Sequence, residues 1–293
     1  MESSFAQSTV TKVIPGFDEV KQLERRLQFH PSTVTDPKTL TREQVAAYNA
    51  EGYVKGIRIF DDAEMLNHRR FFDGILDRTL AGGANSYSII SAHVKFAEVY
   101  DLLAHPRIVA CVRDILGDDV IGWGAHYFCK LPGDGKTVAW HQDASFWPLT
   151  PSKTCTAWLA IEDADIGNAC MRFVAGSHVL GHLTYRMSEG ADMSVLNQTV
   201  DDVEKYGRIV YDELKSGEIS LHTDLLLHGS GLNTSDRRRC GLAMRYCSAD
   251  VRSDPKFGWH KEGVLVSGAD AAGHWLNPAR PTRDWFAGHA SGQ

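Results

Sequence analysis

Two hundred and ninety-three residues, 43 % hydrophobic and 23 % charged with 26 Gly and 10 Pro, describe an ordinary soluble globular chain, long enough for one large or two small domains. Thirty-one Lys plus Arg against 37 Asp plus Glu leave a net charge of −6, which argues against a phosphate-backbone binder, and no apolar run is long enough to span a membrane. Met1 to Phe17 offers neither a basic start nor an apolar signal core, so the expectation is a cytoplasmic protein without nucleic-acid or membrane partners.

Along the chain, Pro31-Ser-Thr-Val-Thr-Asp-Pro37 reads as a linker or wrapped arm. Thr41 with Gln44 forms a capping-box signature before Val45-Ala-Ala-Tyr48. Asp61 with Glu64 repeats it before Met65-Leu66, Phe71-Phe72 and Ile75-Leu76 at helical spacing. Val99 to Leu116 is a third helical region, interrupted at His105-Pro106 and stopped at Gly117. From about Val120 the period changes. Short β-favouring runs such as Thr154 to Ile161 and Glu218 to His222 are separated by Gly, Pro, Asn and Asp, with no strand–helix alternation. The pattern predicts an α+β fold in which helices of about 1–119 buttress an antiparallel β-barrel or sandwich of about 120–250, followed by a segment 251–293, all in one domain.

Six cysteines (Cys111, Cys129, Cys155, Cys170, Cys240, Cys247) make no Cys-x-x-Cys pair and read as buried free thiols. Thirteen histidines invite a search for a metal site. In Trp140-His141-Gln142-Asp143, placed where a strand should begin, residues i and i+2 share a face, so His141 and Asp143 can aim at one point. A distant histidine would complete the two-histidine, one-carboxylate triad of non-haem Fe(II) oxygenases. Its candidate lies in Leu225-Leu-Leu-His228-Gly-Ser230, which runs on to Arg237-Arg-Arg239 and the strand-like Gly241-Leu-Ala-Met-Arg-Tyr246. The bland alternatives are a structural His141–Asp143 pair, His222 as the distal ligand in place of His228, and a turn rather than a metal pair at His178 and His182.

Together these motifs resemble the phytanoyl-CoA dioxygenase family of Fe(II)- and 2-oxoglutarate-dependent oxygenases. The resemblance runs from about Thr41 to Ser248 and takes in Lys130-Leu-Pro-Gly133, Trp158 and Asn168-Ala-Cys-Met-Arg-Phe-Val-Ala-Gly-Ser-His178. It implies a double-stranded β-helix of the jelly-roll or cupin-like kind. It implies Fe(II) on His141, Asp143 and His228 as catalytic and metal-binding residues, with 2-oxoglutarate and O₂ as cosubstrates. In this family the cosubstrate arginine follows the distal histidine by eleven residues, which selects Arg239; Ser230 would assist and Trp158 would wall the pocket. The family's usual Asn-Gly is Asn168-Ala169 here, and its Pro-Gly-Ser-His is Ala175-Gly-Ser-His178, departures that touch turns rather than ligands.

A carboxylate at Asp143 leaves no site for chloride, so the resemblance implies hydroxylation of an aliphatic C–H rather than halogenation, with desaturation or cyclisation open. The acidic chain lacks a basic platform for coenzyme A. The stretch from Trp140 to Leu149 looks most like bacterial members acting on small molecules, including hydroxylases of aminoalkylphosphonates at the carbon next to phosphorus. Tailoring of a secondary metabolite, a non-oxygenase metal protein and a 2-oxoglutarate sensor are the alternatives. Arg245 shares strand parity with Arg239 and is a candidate for an anionic small-molecule substrate, or else an ion pair at the barrel rim. Phe146, Trp147, Tyr127 and His93 are further substrate-site candidates. Lys95 is a candidate on position only; Trp259, Trp275 and Trp285 could line or cover the pocket but read first as core packing or an oligomer contact, and the oligomeric state is left open.

Overall fold

The capping signatures form as read in the computed structural model, which describes residues 16–284. Helix α1 (Arg42–Glu51) begins with Thr41 Oγ1 accepting from the Gln44 amide at 3.1 Å while Gln44 Oε1 accepts from the Thr41 amide at 2.8 Å. Helix α2 (Asp62–Ala81) has the same reciprocal pair in Asp61 and Glu64. The third helical region divides into α3 (Ala97–Leu103) and α4 (Pro106–Leu116), because Pro106 has no amide hydrogen to continue the ladder but suits a first helical turn. Trp285 lies outside the described residues.

Two antiparallel sheets, of six and four strands, make the β-core, and two short two-stranded pairs lie outside them. The larger is built from β1 (Tyr53–Arg58), β2 (Val120–Lys130), β4 (Thr154–Ala160), β7 (Glu218–His222), β9 (Arg239–Ser248) and β10 (Val264–Ser267), in the spatial order β1-β7-β4-β9-β2-β10. The smaller takes β3 (Val138–His141), β5 (Met171–Ala175), β6 (Arg208–Asp212) and β8 (His228–Ser230), in the order β3-β8-β5-β6. This is the double-stranded β-helix. The sheet outruns the expected 120–250 at both ends. β1 pairs with β7 from within the helical part, and β10 pairs with β2 from the C-terminal segment. Tyr-Val-Lys-Gly-Ile-Arg lacks clean alternation, and a register shift between Val54 and Ile57 breaks its period.

Strand parity sorts the large sheet. Cys240, Leu242, Met244 and Tyr246 of β9, with Ala157, Leu159, Ile219 and Leu221, are buried against Tyr48, Met65, Phe72, Val99, Ile108 and Val112 of the helices. Each fully buried aliphatic or Phe side chain there contributes roughly 1.5–3 kcal/mol. The opposite face, carrying Arg239, Gly241, Ala243 and Arg245, turns toward the small sheet, where Trp158, Ala160 and Ala243 pack with Met171 and Phe173. The helices thus fill one face, and the inward polar side chains stand on the other among the apolar residues of the inter-sheet space. All six cysteines are free and buried.

Candidate active site

His141 and His228 are direct cross-strand partners on β3 and β8, with ring centroids 4.1 Å apart. The strand ends at His141 instead of beginning there. The backbone stays extended through Gln142 (φ −107°, ψ 130°) before Asp143 opens a 3₁₀ turn, so the i, i+2 relation survives and His141 Nε2 lies 3.6 Å from Asp143 Oδ1. One donor atom from each of His141, Asp143 and His228 lies within 4.8 Å of the others. Each histidine sets its Nδ1 against the carbonyl two residues earlier, His141 on Ala139 at 2.8 Å and His228 on Leu226 at 2.9 Å. A carbonyl only accepts, so Nδ1 carries the hydrogen and the Nε2 lone pair is free for a metal. Two imidazoles and a carboxylate, each buried, are a donor set that fits a divalent iron.

Charge follows the same logic. Burial pushes the Asp143 carboxyl up, but His141, His228 and Arg245 around it outweigh burial and hold it well below the usual carboxylate range. Burial, with the neighbouring His141, keeps His228 well below its ordinary value, hence neutral. His222 is not in the ligand group. Its ring lies 5.0 Å from that of His228 on the opposite sheet, and burial brings its pKa down to about 4. The His178–His182 alternative resolves as the turn: His178 Nε2 meets the Asn49 carbonyl at 3.1 Å and His182 Nε2 meets Ser145 Oγ at 2.9 Å.

The three arginines separate by environment. Arg237 is exposed and pairs with Asp165 at 2.7 Å; Arg238 pairs with Asp73 at 2.7 Å and with Glu162. Arg239 is 1 % exposed and points between the sheets, its Nε donating to Ala169 O and its Nη2 to Ser230 Oγ, both at 3.1 Å. Trp158 lies beside it, 5.7 Å from ring centroid to guanidinium. Gly241 makes that possible, because a Cβ there would stand 1.9 Å from the indole. Ala169 takes the left-handed conformation (φ 63°) where the resembling family has glycine, and still offers its carbonyl to Arg239.

Arg239, Trp158, Ser230 and the three metal-ligand candidates line one narrow cavity of about 40 Å³, with Arg245 also on its wall. Through Phe128, His141, Asp143 and Arg245 it shares walls with an outer chamber of about 830 Å³. Phe146, Trp147, Trp259 and Lys95 line that chamber, as proposed or suspected from sequence. Arg245 lies over the Trp147 ring at 5.3 Å, and among the described residues it makes no ion pair with a carboxylate. Asp143 is the charge that it feels, and burial lowers its pKa.

Two candidates fall away. Tyr127 points into the helix-facing core, its ring 4.7 Å from that of Phe72, because the inward set on β2 is Gly124, His126 and Phe128. His93 is buried in a turn with Nε2 on the Glu262 carbonyl at 3.0 Å and lines neither cavity. Trp275 is core, its Nε1 donating to Val251 O at 2.9 Å. Thr156, Met171 and Phe128 line the inner cavity without having been singled out. Thr156 was within reach of the argument, since it stands two residues before Trp158 on the same strand face.

Two facing antiparallel sheets with a buried two-histidine, one-carboxylate cluster between them make a metal-dependent enzyme of the double-stranded β-helix class. A family model described as Phytanoyl-CoA dioxygenase (PhyH) matches residues 19–241. The chain belongs to the phytanoyl-CoA dioxygenase family, and it is a dioxygenase. The human peroxisomal phytanoyl-CoA dioxygenase is 26 % identical over 263 residues, covering 80 % of this chain and 78 % of the relative. A probable alpha-ketoglutarate-dependent hypophosphite dioxygenase of Stutzerimonas stutzeri is 29 % identical over 165 residues, 54 % of this chain and 56 % of that one. The crystal structure of EctD from S. alaskensis with 2-oxoglutarate and 5-hydroxyectoine superposes with a TM-score of 0.68 at 21 % identity, over 79 % of this chain and 85 % of EctD, a likeness of fold. No helix among the described residues is long and apolar enough to cross a membrane.

Proposed function

We propose that this chain is an Fe(II)- and 2-oxoglutarate-dependent oxygenase that hydroxylates an aliphatic C–H of a small anionic molecule, an aminoalkylphosphonate at the carbon next to phosphorus being the favoured substrate. The observation that carries it is one cavity with the His141, Asp143 and His228 donors and two buried arginines on its wall, Arg239 held by protein groups and Arg245 without a carboxylate partner among the described residues. The two Nε2 atoms and the Asp143 carboxylate would hold the iron. Bound there with 2-oxoglutarate, it supplies the dioxygen chemistry that yields succinate and carbon dioxide and oxidises the substrate carbon.

The protein groups bind, orient and exclude water. Arg239 presents a planar fork to the far carboxylate of 2-oxoglutarate, and Ser230, already on its Nη2, is placed to share that carboxylate. Trp158 covers the guanidinium and keeps the ion pair dry, where it is strongest. Arg245 draws the anionic group of the substrate toward Asp143 and His228, while Phe146 and Trp147 close the side of the chamber next to His141. The position of oxidation is set by how these walls hold the target carbon, not by an acid–base pair. The hypophosphite dioxygenase relative supports a phosphorus oxyanion.

The outer chamber supports a second reading. About 830 Å³ with Trp123, Trp147 and Trp259 on its walls is more room than a small phosphonate fills, and it suits tailoring of a bulkier secondary metabolite. Succinate formation, screened with small phosphonates, amino acids and lipidic acids, separates the two. Stimulation by aminoalkylphosphonates and not by their neutral analogues is expected; stimulation only by large apolar compounds would replace the first reading with the second.

A further inference from the structure

The function proposed above leaves two polar side chains of the inner cavity, His222 and Thr156, unused beside Arg245. His222 on β7 is the direct cross-strand partner of Thr156 on β4, and Thr156 is in turn the partner of Arg245 on β9. The three therefore stand in one row across adjacent strands, and all three line the inner cavity on the wall facing His141 and His228. His222 is 1 % and Thr156 2 % exposed, yet His222 Nδ1, Thr156 Oγ1 and Arg245 Nε are each buried without a hydrogen-bond partner. The three orphans lie side by side on one cavity wall. An unmet buried polar group destabilises the fold, so the row stands at the expense of the ligand-free state.

Each of the three has a hydrogen to give an anion: Arg245 donates only, the Thr156 hydroxyl donates or accepts, and the His222 ring carries one N–H beside one accepting nitrogen. Adjacent strands lie about 4.8 Å apart, so a short threonine flanked by two long side chains gives donors that converge above Thr156. We infer that His222, Thr156 and Arg245 form an oxyanion subsite facing the metal ligands, built for a carboxylate or phosphonate group, with His222 and Thr156 acting as specificity-determining residues beside Arg245. Placing the substrate's oxyanion there rests on the function proposed above; the metal-side carboxylate of 2-oxoglutarate is the same chemistry from a second source. Among the described residues Asp143 is the carboxylate whose charge reaches both His222 and Arg245, so an anion is accepted once a metal dication offsets it.

The test uses full-length protein loaded with Ni(II), which does not turn over, and isothermal titration with two probes: 2-oxoglutarate alone, then 2-aminoethylphosphonate with 2-oxoglutarate saturating. Thr156→Val and His222→Phe should each weaken the phosphonate tenfold or more and change 2-oxoglutarate less than twofold, whereas Thr156→Ser and His222→Asn, which keep a polar group, should retain most of the affinity. Thr156→Val should melt at or above the wild-type temperature without ligand, since a methyl replaces an unpaired hydroxyl, which separates a ligand role from a structural one. Weakening confined to 2-oxoglutarate would keep the oxyanion subsite but assign it to the cosubstrate, and the anionic-substrate reading would fall. If neither probe responds to His222 or Thr156, the subsite is wrong. Loss of phosphonate binding in Arg245→Met alone would then leave the anionic-substrate reading standing without it.

Discussion

Arg239 and Arg245 sit on the same face of the same strand and line the same cavity, but they are built differently. Arg239 is fixed before any ligand arrives, through Ala169 O, Ser230 Oγ and the Trp158 indole. Arg245 is ringed by Trp147 at 5.3 Å, Trp123 at 5.9 Å and Phe128 at 6.0 Å, with its Nε unpartnered. On the proposed function, the first would be a preorganised socket for the cosubstrate. The second holds a cation among aromatic faces that neither fix its fork nor neutralise it, an arrangement suited to a ligand that comes and goes.

The contrast breaks most clearly at Arg239. Losing one partner of a buried charge-assisted pair costs about 2–5 kcal/mol, so Arg239→Ala should raise the 2-oxoglutarate requirement roughly thirtyfold or more. Arg238→Ala, which removes a half-buried network with Asp73 and Glu162 outside the cavity, should leave it nearly unchanged. Equal damage at Arg238 would mean a strand register shifted by one. Arg245→Met should do the reverse, raising the substrate requirement about tenfold with little change for 2-oxoglutarate, and Arg245→Lys should be milder than Arg239→Lys because only the Arg239 site uses the planar fork. Steady-state kinetics with each reactant varied in turn reads both.

A smaller effect is expected behind the substrate end. Arg25, on the N-terminal arm, donates from Nη1 to the carbonyls of Ala144 at 2.6 Å and Trp147 at 2.7 Å, pinning the turn that follows Asp143. Arg25→Ala should raise the substrate requirement about threefold to fivefold, on the scale of one or two hydrogen bonds, and spare 2-oxoglutarate.

The smallest effect is on stability and concerns Asp212, on the small sheet. Burial pushes its carboxyl up to about 7, with Ser220 Oγ on one oxygen at 2.8 Å and the other oxygen unpartnered. The folded protein therefore holds this proton more tightly than the unfolded chain. Stability is full below the ordinary carboxylate range and falls as pH rises toward about 7, because the unfolded state binds fewer protons across that window. Asp212→Asn should raise the melting temperature by a few degrees near pH 8 and scarcely at all near pH 4.5.

Much of this was legible in the residues. The capping boxes, the break at Pro106, the two ligand motifs and the inward parity of Arg239 to Arg245 depend on local chemistry or a strict two-residue period, and all stand in the structure. Tyr127 was misplaced because Gly-Trp-Gly-Ala-His-Tyr-Phe does not alternate in polarity, so nothing local says which residues of β2 face inward. Tyr53–Arg58 escaped notice because an edge strand with a central glycine carries little hydrophobic signal. The Thr156 row could not be seen at all, since it depends on which strands become neighbours across 66 to 89 residues of chain (Thr156 to His222, Thr156 to Arg245).

The central claim is that His228, not His222, completes the metal site. The direct measurement is the Fe(II) bound per chain under anaerobic conditions in wild type, His228→Ala and His222→Ala. The account predicts one iron per chain in wild type and in His222→Ala, and none retained by His228→Ala with its fold intact. Iron kept by the His228 variant and lost from the His222 variant would contradict it.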